Sequence, residues 1–264
     1  MIDQADAFEE KAGGAKRRRL GRSVFILPSL FTVGNIFCGY YAIIATMNGH
    51  YDAAAQAIGI AIVLDMLDGR IARMTNSATG FGLQLDSLAD LVSFGIAPSI
   101  LAFVWGLPAI NNRLAWIAAF TFTICGAMRL ARFNIQAGGL KHFVGMPIPA
   151  AGGSIAAVVH FFVEPVTDRA AGIAMVGLVF LLSFLMVSTI RYTSFKSLTL
   201  GRKSHLTILL IALLVALIYN YSRWTLLIVA ATYLISGIGA KVYSFFRHRK
   251  AHEEVQLAGS LGQR

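Results

Sequence analysis

Charged residues are scarce in this chain of 264 residues, and acidic residues are scarcer than basic ones. Asp, Glu, Lys and Arg together make up 14% of the sequence, whereas a soluble domain typically carries about 25%. Hydrophobic residues make up 56%, and the mean hydropathy is +0.66. The shortage of charge and the long apolar runs exclude an ordinary soluble domain and indicate a polytopic membrane protein.

Cysteine is nearly absent as well, which excludes a disulfide framework. The chain has two cysteines, Cys38 and Cys125, and both lie within apolar runs, where a thiol packs as a small hydrophobic group. A basic run at Lys16 to Arg19 precedes the first apolar stretch, as it would in a signal peptide. That stretch continues to about Met47 and is too long for a signal sequence, so we expect an uncleaved first spanning helix.

Apolar stretches that approach the length of a membrane span, about 20 residues, recur along the chain. We identify eight, near residues 27–48, 53–73, 85–107, 113–134, 147–164, 170–190, 205–221 and 224–246. The sequence therefore predicts an all-α polytopic membrane protein, a bundle of about eight transmembrane helices. The predicted domains are a basic cytoplasmic or interfacial N-terminal segment at 1–22, a transmembrane catalytic domain at 23–246 and a cytoplasmic C-terminal tail at 247–264.

Basic residues are distributed unevenly between the two ends of these spans. With the N-terminus placed in the cytoplasm, 20 of the 23 Lys and Arg residues fall at cytoplasmic ends and 3 at outer ends. The positive-inside rule then places both termini in the cytoplasm and favours an even number of spans. We expect an integral, multi-pass protein of the cell inner or plasma membrane.

Four carboxylates interrupt the apolar sequence between Ala53 and Val163, namely Asp65, Asp68, Asp86 and Asp90. Charge at membrane depth is costly unless it is paired or bound to metal, so the cluster predicts a functional site. Asp65 and Asp68 are three residues apart, and Asp86 and Asp90 are four apart, so each pair shares one helix face. We expect the two helices to pack as a hairpin whose carboxylates converge near the cytoplasmic end.

Oxygen ligands without a nearby His or Cys suit hard cations, so the cluster predicts Mg²⁺ or Mn²⁺, with two ions expected. Such ions complete their coordination with water and substrate phosphates, which favours chemistry at phosphorus. A carboxylate left partly free of metal could accept the proton of an attacking alcohol. Spacing alone leaves another class open, a metal- or proton-coupled membrane transporter.

The spacing of these residues, Asp-x2-Asp-Gly-x2-Ala-Arg-x8-Gly-x3-Asp-x3-Asp, resembles the signature of the CDP-alcohol phosphatidyltransferase family. The resemblance implies a core of six transmembrane helices, a homodimer, and transfer of a phosphatidyl group from a CDP-linked lipid to an alcohol with release of CMP. It implies that the four aspartates hold divalent metals and that Asp90 also acts as general base. It further implies that Gly69, Arg73 and Gly82 line the pocket for the cytidine and diphosphate.

Other segments resemble the serine-specific branch of that family, which adds two helices to the core. They are Pro28 to Asn35, Met128 to Asn134 and Phe143 to Ala151. The implied substrates are CDP-diacylglycerol and L-serine, and the implied site lies at the cytoplasmic side. Glycerol phosphate, inositol phosphate and choline stay open as other acceptors.

Three polar residues near the cytoplasmic end of the fourth span suit a zwitterionic acceptor. Arg129 and Arg132 could hold the serine carboxylate or a phosphate, since a guanidinium binds both groups bidentately. Asn134 could accept a hydrogen bond from the ammonium group. Thr32 and Asn35 share one face of the first span, and we expect them to contact the cytidine. No nucleic acid partner is expected.

Overall fold

The computed structural model describes residues 30–74, 79–107, 110, 112–136, 145–188, 217–218, 220–237 and 239. Within these ranges every regular element is helical. The predicted terminal segments, 1–22 and 247–264, lie outside the described residues. So do residues 205–216, which make up most of the predicted seventh span.

The described helices follow the predicted spans in order. They are α1 (Leu30–Met47), α2 (Tyr51–Met74), α3 (Gly80–Asp90), α4 (Ala97–Trp105), α5 (Asn112–Gln136), α6 (Ile148–Phe162), α7 (Arg169–Val187) and α8 (220–237). A π-helical turn, Leu91–Ile96, joins α3 directly to α4. The third span thus begins at Gly80 rather than near residue 85, because the Thr79 side chain caps it by accepting a hydrogen bond from the Gly82 amide at 3.0 Å.

Four of the described helical stretches are long and apolar enough to cross a membrane. They are Leu30–Met47, Gly80–Trp105, Arg113–Ile135 and Arg169–Val187. Helix α6 is apolar but has 15 residues, and α2 has 24 residues but carries charged side chains in its second half. The described chain is therefore that of an all-helical, polytopic membrane protein, and the total of eight spans stays a prediction.

The π-helical turn lies in close contact with both α1 and α6. Ser93 on the turn donates a hydrogen bond to the Asn35 carbonyl of α1 at 2.8 Å. A Cβ atom on Gly152 of α6 would lie 2.7 Å from the Phe94 carbonyl oxygen and 2.9 Å from Pro98 Cγ. Small residues at such points let helix backbones come together, so these contacts fix the position of the segment that follows Asp90.

We expect Gly152→Ala to destabilise the protein, because the added methyl group would meet the Phe94 backbone, which cannot move aside independently. Overpacking of this kind costs about 1–3 kcal/mol. Gly177→Ala on α7 is the matched control, since nothing lies within 4 Å of its Cβ position. Thermal unfolding of the purified protein in detergent should show a lower Tm for Gly152→Ala and an equal or higher Tm for Gly177→Ala. Equal Tm values for both variants would contradict the close approach.

Candidate active site

Helices α2 and α3 bring carboxylates from two parts of the sequence to one place. Asp65, Asp68 and Asp86 each offer an oxygen, and these three oxygens lie within 4.8 Å of one another. Asp90 lies one turn beyond Asp86, outside that group of three, and within hydrogen-bonding reach of Asp65. The helical spacing of the two pairs explains this convergence, since each pair projects from a single helix face.

Several of these carboxylate oxygens are buried without a hydrogen-bond partner. The Oδ1 atoms of Asp68, Asp86 and Asp90 are in this state among the described residues. Buried polar atoms are normally satisfied, so unpartnered acceptors in and beside one group of carboxylates favour a site for a cationic or hydrogen-bonding ligand. An oxygen-only set of this size suits a hard divalent cation, and the residues therefore fit Mg²⁺ or Mn²⁺.

Helix α1 supplies neutral polar groups to the same region. Thr32 donates a hydrogen bond from Oγ1 to Asp68 Oδ2 at 3.1 Å, and both side chains are buried. Asn35, one turn later, is fully buried, and neither atom of its carboxamide has a partner among the described residues. Thr32 thus orients one carboxylate of the cluster, whereas the Asn35 carboxamide is left with unused donors and an unused acceptor.

Among the side chains that the structure describes, Arg129 of α5 is a cation that faces the cluster. Its half-buried guanidinium lies within range of Coulombic attraction to Asp65 and Asp90. An arginine in this position offsets part of the negative charge that buried carboxylates accumulate, and its planar group keeps further donors for an anionic ligand.

The other two polar residues of this part of α5 contact the protein itself. Arg132 donates from Nη1 to the Val187 carbonyl at 3.0 Å, at the end of α7. Asn134 donates from Nδ2 to Gln84 Oε1 at 3.2 Å and to Ser87 Oγ at 3.0 Å. Ser87 Oγ also lies 3.1 Å from Asn134 Oδ1. Asn134 therefore ties α5 to α3 beside Asp86, and Arg132 ties α5 to α7.

The glycines of the motif lie on the same two helices. Gly69 follows Asp68 on α2 and is half-buried. Gly82 is half-buried on the first turn of α3, where a Cβ atom would lie 3.2 Å from Thr79 Oγ1. Arg73 belongs to the last turns of α2, and its side chain lies outside the described part of the structure.

Sequence reasoning missed the residues that hold the α3 face in place. Gln84 and Ser87 are polar residues of α3 that pair with Asn134, at sequence separations of 50 and 47 residues. Two polar side chains flanking Asp86 on an otherwise apolar helix were the available signal. Their partner could not be read from the sequence, because no local pattern relates α3 to α5.

A comparison with protein-family models matches residues 25–187 to the CDP-alcohol phosphatidyltransferase family. The matched range includes the acidic cluster and helices α1 to α7, and it ends before α8. It covers more than half of the chain.

Comparison with curated proteins finds relatives along most of the sequence. The chain is 34% identical over 222 residues to CDP-diacylglycerol–serine O-phosphatidyltransferase of Helicobacter pylori, an alignment that covers 81% of this chain and 90% of that protein. It is 39% identical over 173 residues to the enzyme of the same name in Bacillus subtilis, covering 64% of this chain and 91% of that protein. It is 35% identical over 173 residues to archaetidylserine synthase of Methanothermobacter thermautotrophicus, covering 64% and 70%. With its acidic motif on two adjoining helices, the chain belongs to the CDP-alcohol phosphatidyltransferase family.

Proposed function

We propose that the protein transfers the phosphatidyl group of CDP-diacylglycerol to L-serine, forming phosphatidylserine and releasing CMP. It is a membrane-bound transferase of phospholipid biosynthesis. The observation that supports this most strongly is the group of facing carboxylates with unpartnered oxygens, carried by the family motif. The names of the relatives support serine as the acceptor.

The proposed architecture has eight spans in a cell inner or plasma membrane, with both termini cytoplasmic. Residues 1–22 form the basic N-terminal segment, residues 23–246 the transmembrane catalytic domain and residues 247–264 the tail. The distribution of Lys and Arg, with 20 at cytoplasmic ends and 3 at outer ends, supports a site that opens to the cytoplasm. A second copy of the chain is the proposed partner, in a homodimer of the kind that the family resemblance implies.

Asp65, Asp68, Asp86 and Asp90 would hold the divalent cations. The buried, unpartnered oxygens of Asp68, Asp86 and Asp90 support this assignment, as does the position of Asp65 in the group of three. Bound there, Mg²⁺ or Mn²⁺ would offset the charge of a diphosphate and polarise its phosphorus–oxygen bonds. The Thr32 hydroxyl keeps the Asp68 carboxylate oriented. The Gln84, Ser87 and Asn134 network fixes the rotation of α3, and with it the direction of Asp86.

The reaction proposed for this site is a single displacement. Asp90 accepts the proton of the serine hydroxyl, and the serine oxygen forms a bond to the lipid-side phosphorus. The bond between that phosphorus and the oxygen of CMP breaks, and CMP leaves. The position of Asp90, buried beside the group of three carboxylates and outside it, supports its role as the base.

Separate groups of residues are proposed to hold the two substrates. Asn35, Gly69, Arg73 and Gly82, with Thr32, would line the site of the cytidine and diphosphate, and the free carboxamide of Asn35 supports a polar ligand there. Arg129 is proposed to bind the carboxylate of serine. Arg132 and Asn134 act on the same site, and their contacts with α7 and α3 give them a positioning role as well.

Release of CMP tests the proposed function directly. The purified protein should release CMP from CDP-diacylglycerol when L-serine and Mg²⁺ or Mn²⁺ are present. The comparison uses glycerol phosphate, inositol phosphate and choline as other acceptors, and EDTA as the metal-free control. Release with another acceptor alone would reject serine as the substrate. If folded protein releases CMP with none of them, the transporter alternative replaces the enzyme.

We expect Asp90→Asn to lower kcat by a factor of about 10²–10⁴, the range that a general base contributes. Binding of CDP-diacylglycerol should persist in part, because Asp65, Asp68 and Asp86 remain to hold metal and the amide preserves the shape of the side chain. Glu164→Gln is the matched control, since Glu164 is an exposed acidic residue between α6 and α7, and it should leave kcat unchanged. Near-normal turnover of Asp90→Asn would remove Asp90 from the role of base.

Arg129→Lys should raise the KM for serine about tenfold, because lysine keeps the charge and loses the bidentate geometry. The KM for CDP-diacylglycerol should change less. Arg132→Lys serves for comparison: it breaks the contact with Val187, so we expect a lower Tm and a smaller change in the KM for serine. Equal effects of Arg129→Lys on both substrates would contradict a carboxylate-binding role.

A further inference from the structure

Ser93 joins the π-helical turn to α1 through a buried hydrogen bond. Its Oγ donates to the Asn35 carbonyl at 2.8 Å, and both residues are fully buried. A serine on an apolar helix can satisfy its hydroxyl on the carbonyl four residues earlier, as the buried Ser154 and Ser183 do in this protein. Ser93 instead bonds to another helix, at a sequence separation of 58 residues. Its hydroxyl therefore holds two parts of the chain together.

Gly39 leaves the space that this contact needs. A Cβ atom at Gly39 would overlap Ser93 Oγ, and it would lie 2.7 Å from Ser93 Cα and 3.0 Å from Ser93 Cβ. Carbon atoms that are not bonded pack best at about 3.5–4.0 Å, so any side chain at this position would displace the serine together with its backbone. The absence of a side chain at Gly39 thus lets the π-helical turn lie directly against α1.

One face of α1 reaches both the acidic cluster and the π-helical turn. Thr32, Asn35 and Gly39 are at i, i+3 and i+7, a spacing that places them on one side of a helix. Thr32 on this face donates to Asp68 at 3.1 Å, and the Asn35 carbonyl accepts from Ser93 one turn later. The contact of Ser93 with α1 is therefore next to the contact of α1 with the carboxylates.

Asp90 lies immediately before the turn that Ser93 holds. It is the last residue of α3, and the turn Leu91–Ile96 follows without a loop, so the position of the turn determines where the Asp90 carboxylate lies. The Oδ1 atom of Asp90 is buried without a partner among the described residues, as are both carboxamide atoms of Asn35. The Ser93–Asn35 bond thus links the backbone beside one unpartnered side chain to the backbone of the other.

We propose that Ser93 is a positioning residue that fixes the distance between the catalytic base and the nucleotide side of the site. Its hydroxyl, bound to the Asn35 carbonyl in the space beside Gly39, holds Asp90 where it meets the acceptor hydroxyl. Reacting atoms must lie about 3–3.5 Å apart, and a displacement of about 1 Å can slow a reaction about 10²-fold. The inference rests on the proposed function in taking Asp90 as the base and Asn35 as a contact of the nucleotide.

Ser93→Ala removes the hydroxyl and keeps the Cβ atom. We expect kcat to fall about tenfold, because the turn beside the base shifts. Both KM values should stay within about twofold of wild type, because α1 keeps its Thr32–Asp68 bond. The measurement is CMP release per folded protein, well below the Tm of each variant. Ser183→Ala is the matched control and should leave kcat unchanged, since Ser183 is a buried serine that bonds within its own helix.

A double variant distinguishes positioning from a general loss of stability. If Ser93 acts through Asp90, Ser93→Ala should lower kcat about tenfold in the wild-type background and less than about twofold in the Asp90→Asn background. The second effect is small because the group that Ser93 positions is then no longer a base, and residues that act as a unit are not additive. A structural effect would lower kcat by the same factor in both backgrounds.

An unchanged kcat in Ser93→Ala would overturn the proposal. So would an equal loss in the Asp90→Asn background, or a loss of kcat with both KM values raised together, since these patterns indicate a structural role alone. If Ser93→Ala does not fold, Ser93→Cys takes its place, because a thiol keeps an atom beside Gly39 and donates only weakly. Its kcat should fall about threefold in the wild-type background alone, and a wild-type kcat would equally overturn the proposal.

These results can be separated from a failure of the proposed function. The wild-type protein is first assayed with the panel of acceptors, and the variants are compared with whichever acceptor releases CMP. If that acceptor is not serine, the proposed acceptor is wrong, and the kcat of Ser93→Ala still tests the positioning role.

Folded protein that releases no CMP would reject both proposals, and normal turnover of Asp90→Asn would reject the base and the role of Ser93 together. If Asp90→Asn is slow and Ser93→Ala matches Ser183→Ala, the proposed function stands and only the role of Ser93 is rejected.

Discussion

The cost of keeping carboxylates away from water governs the arrangement of this bundle. Asp68 and Asp90 are buried, and the group of three carboxylates places like charges within a few ångströms. Such charges repel one another strongly where water is excluded, so each neighbouring element must lower the cost. Helix α1 contributes the Thr32 hydroxyl, and α5 contributes the Arg129 guanidinium. Some buried carboxylate oxygens still have no partner among the described residues, and a bound ligand would have to offset their remaining cost of burial.

The two ends of the bundle carry out different tasks. At one end lie the carboxylates, with Arg132 on the last carbonyl of α7 and the Met146 amide donating to the Leu185 carbonyl at 3.0 Å. At the other end, His160 links α2, α6 and α8 through hydrogen bonds, and the Phe161 ring packs edge to face on Trp224. A junction of this kind can be rigid without regard to substrates, whereas the acidic end must admit a lipid diphosphate and release CMP. The polar groups that hold the helices together at His160 are therefore separate from the carboxylates at the acidic end.

Helix positions and the acidic cluster could be predicted because both depend on local spacing. The apolar runs locate α1 to α7 within a few residues, and the spacing of Asp65 with Asp68 and of Asp86 with Asp90 places each pair on one helix face. The partners of Asn134 and His160 could not be predicted, because they lie 47 and 108 residues away along the chain. Nor could the π-helical turn, whose Ser93 and Phe94 contact α1 and α6, helices that are distant in the sequence.

That turn also constrains how the sequence can change over time. A π-helical segment accommodates one more residue than an α-helix of the same length, so it commonly records an insertion that a functional site has retained. Here it separates Asp86 and Asp90 from the apolar helix α4. Deleting one residue between Leu91 and Ile96 would remove the extra residue of the wide turn and leave a regular α-helix there, with the flanking segments near their present rotation. Such a deletion would instead change the local contacts of the turn, where Ser93 meets α1 and Phe94 meets α6, so the packing of these helices constrains the length of the segment.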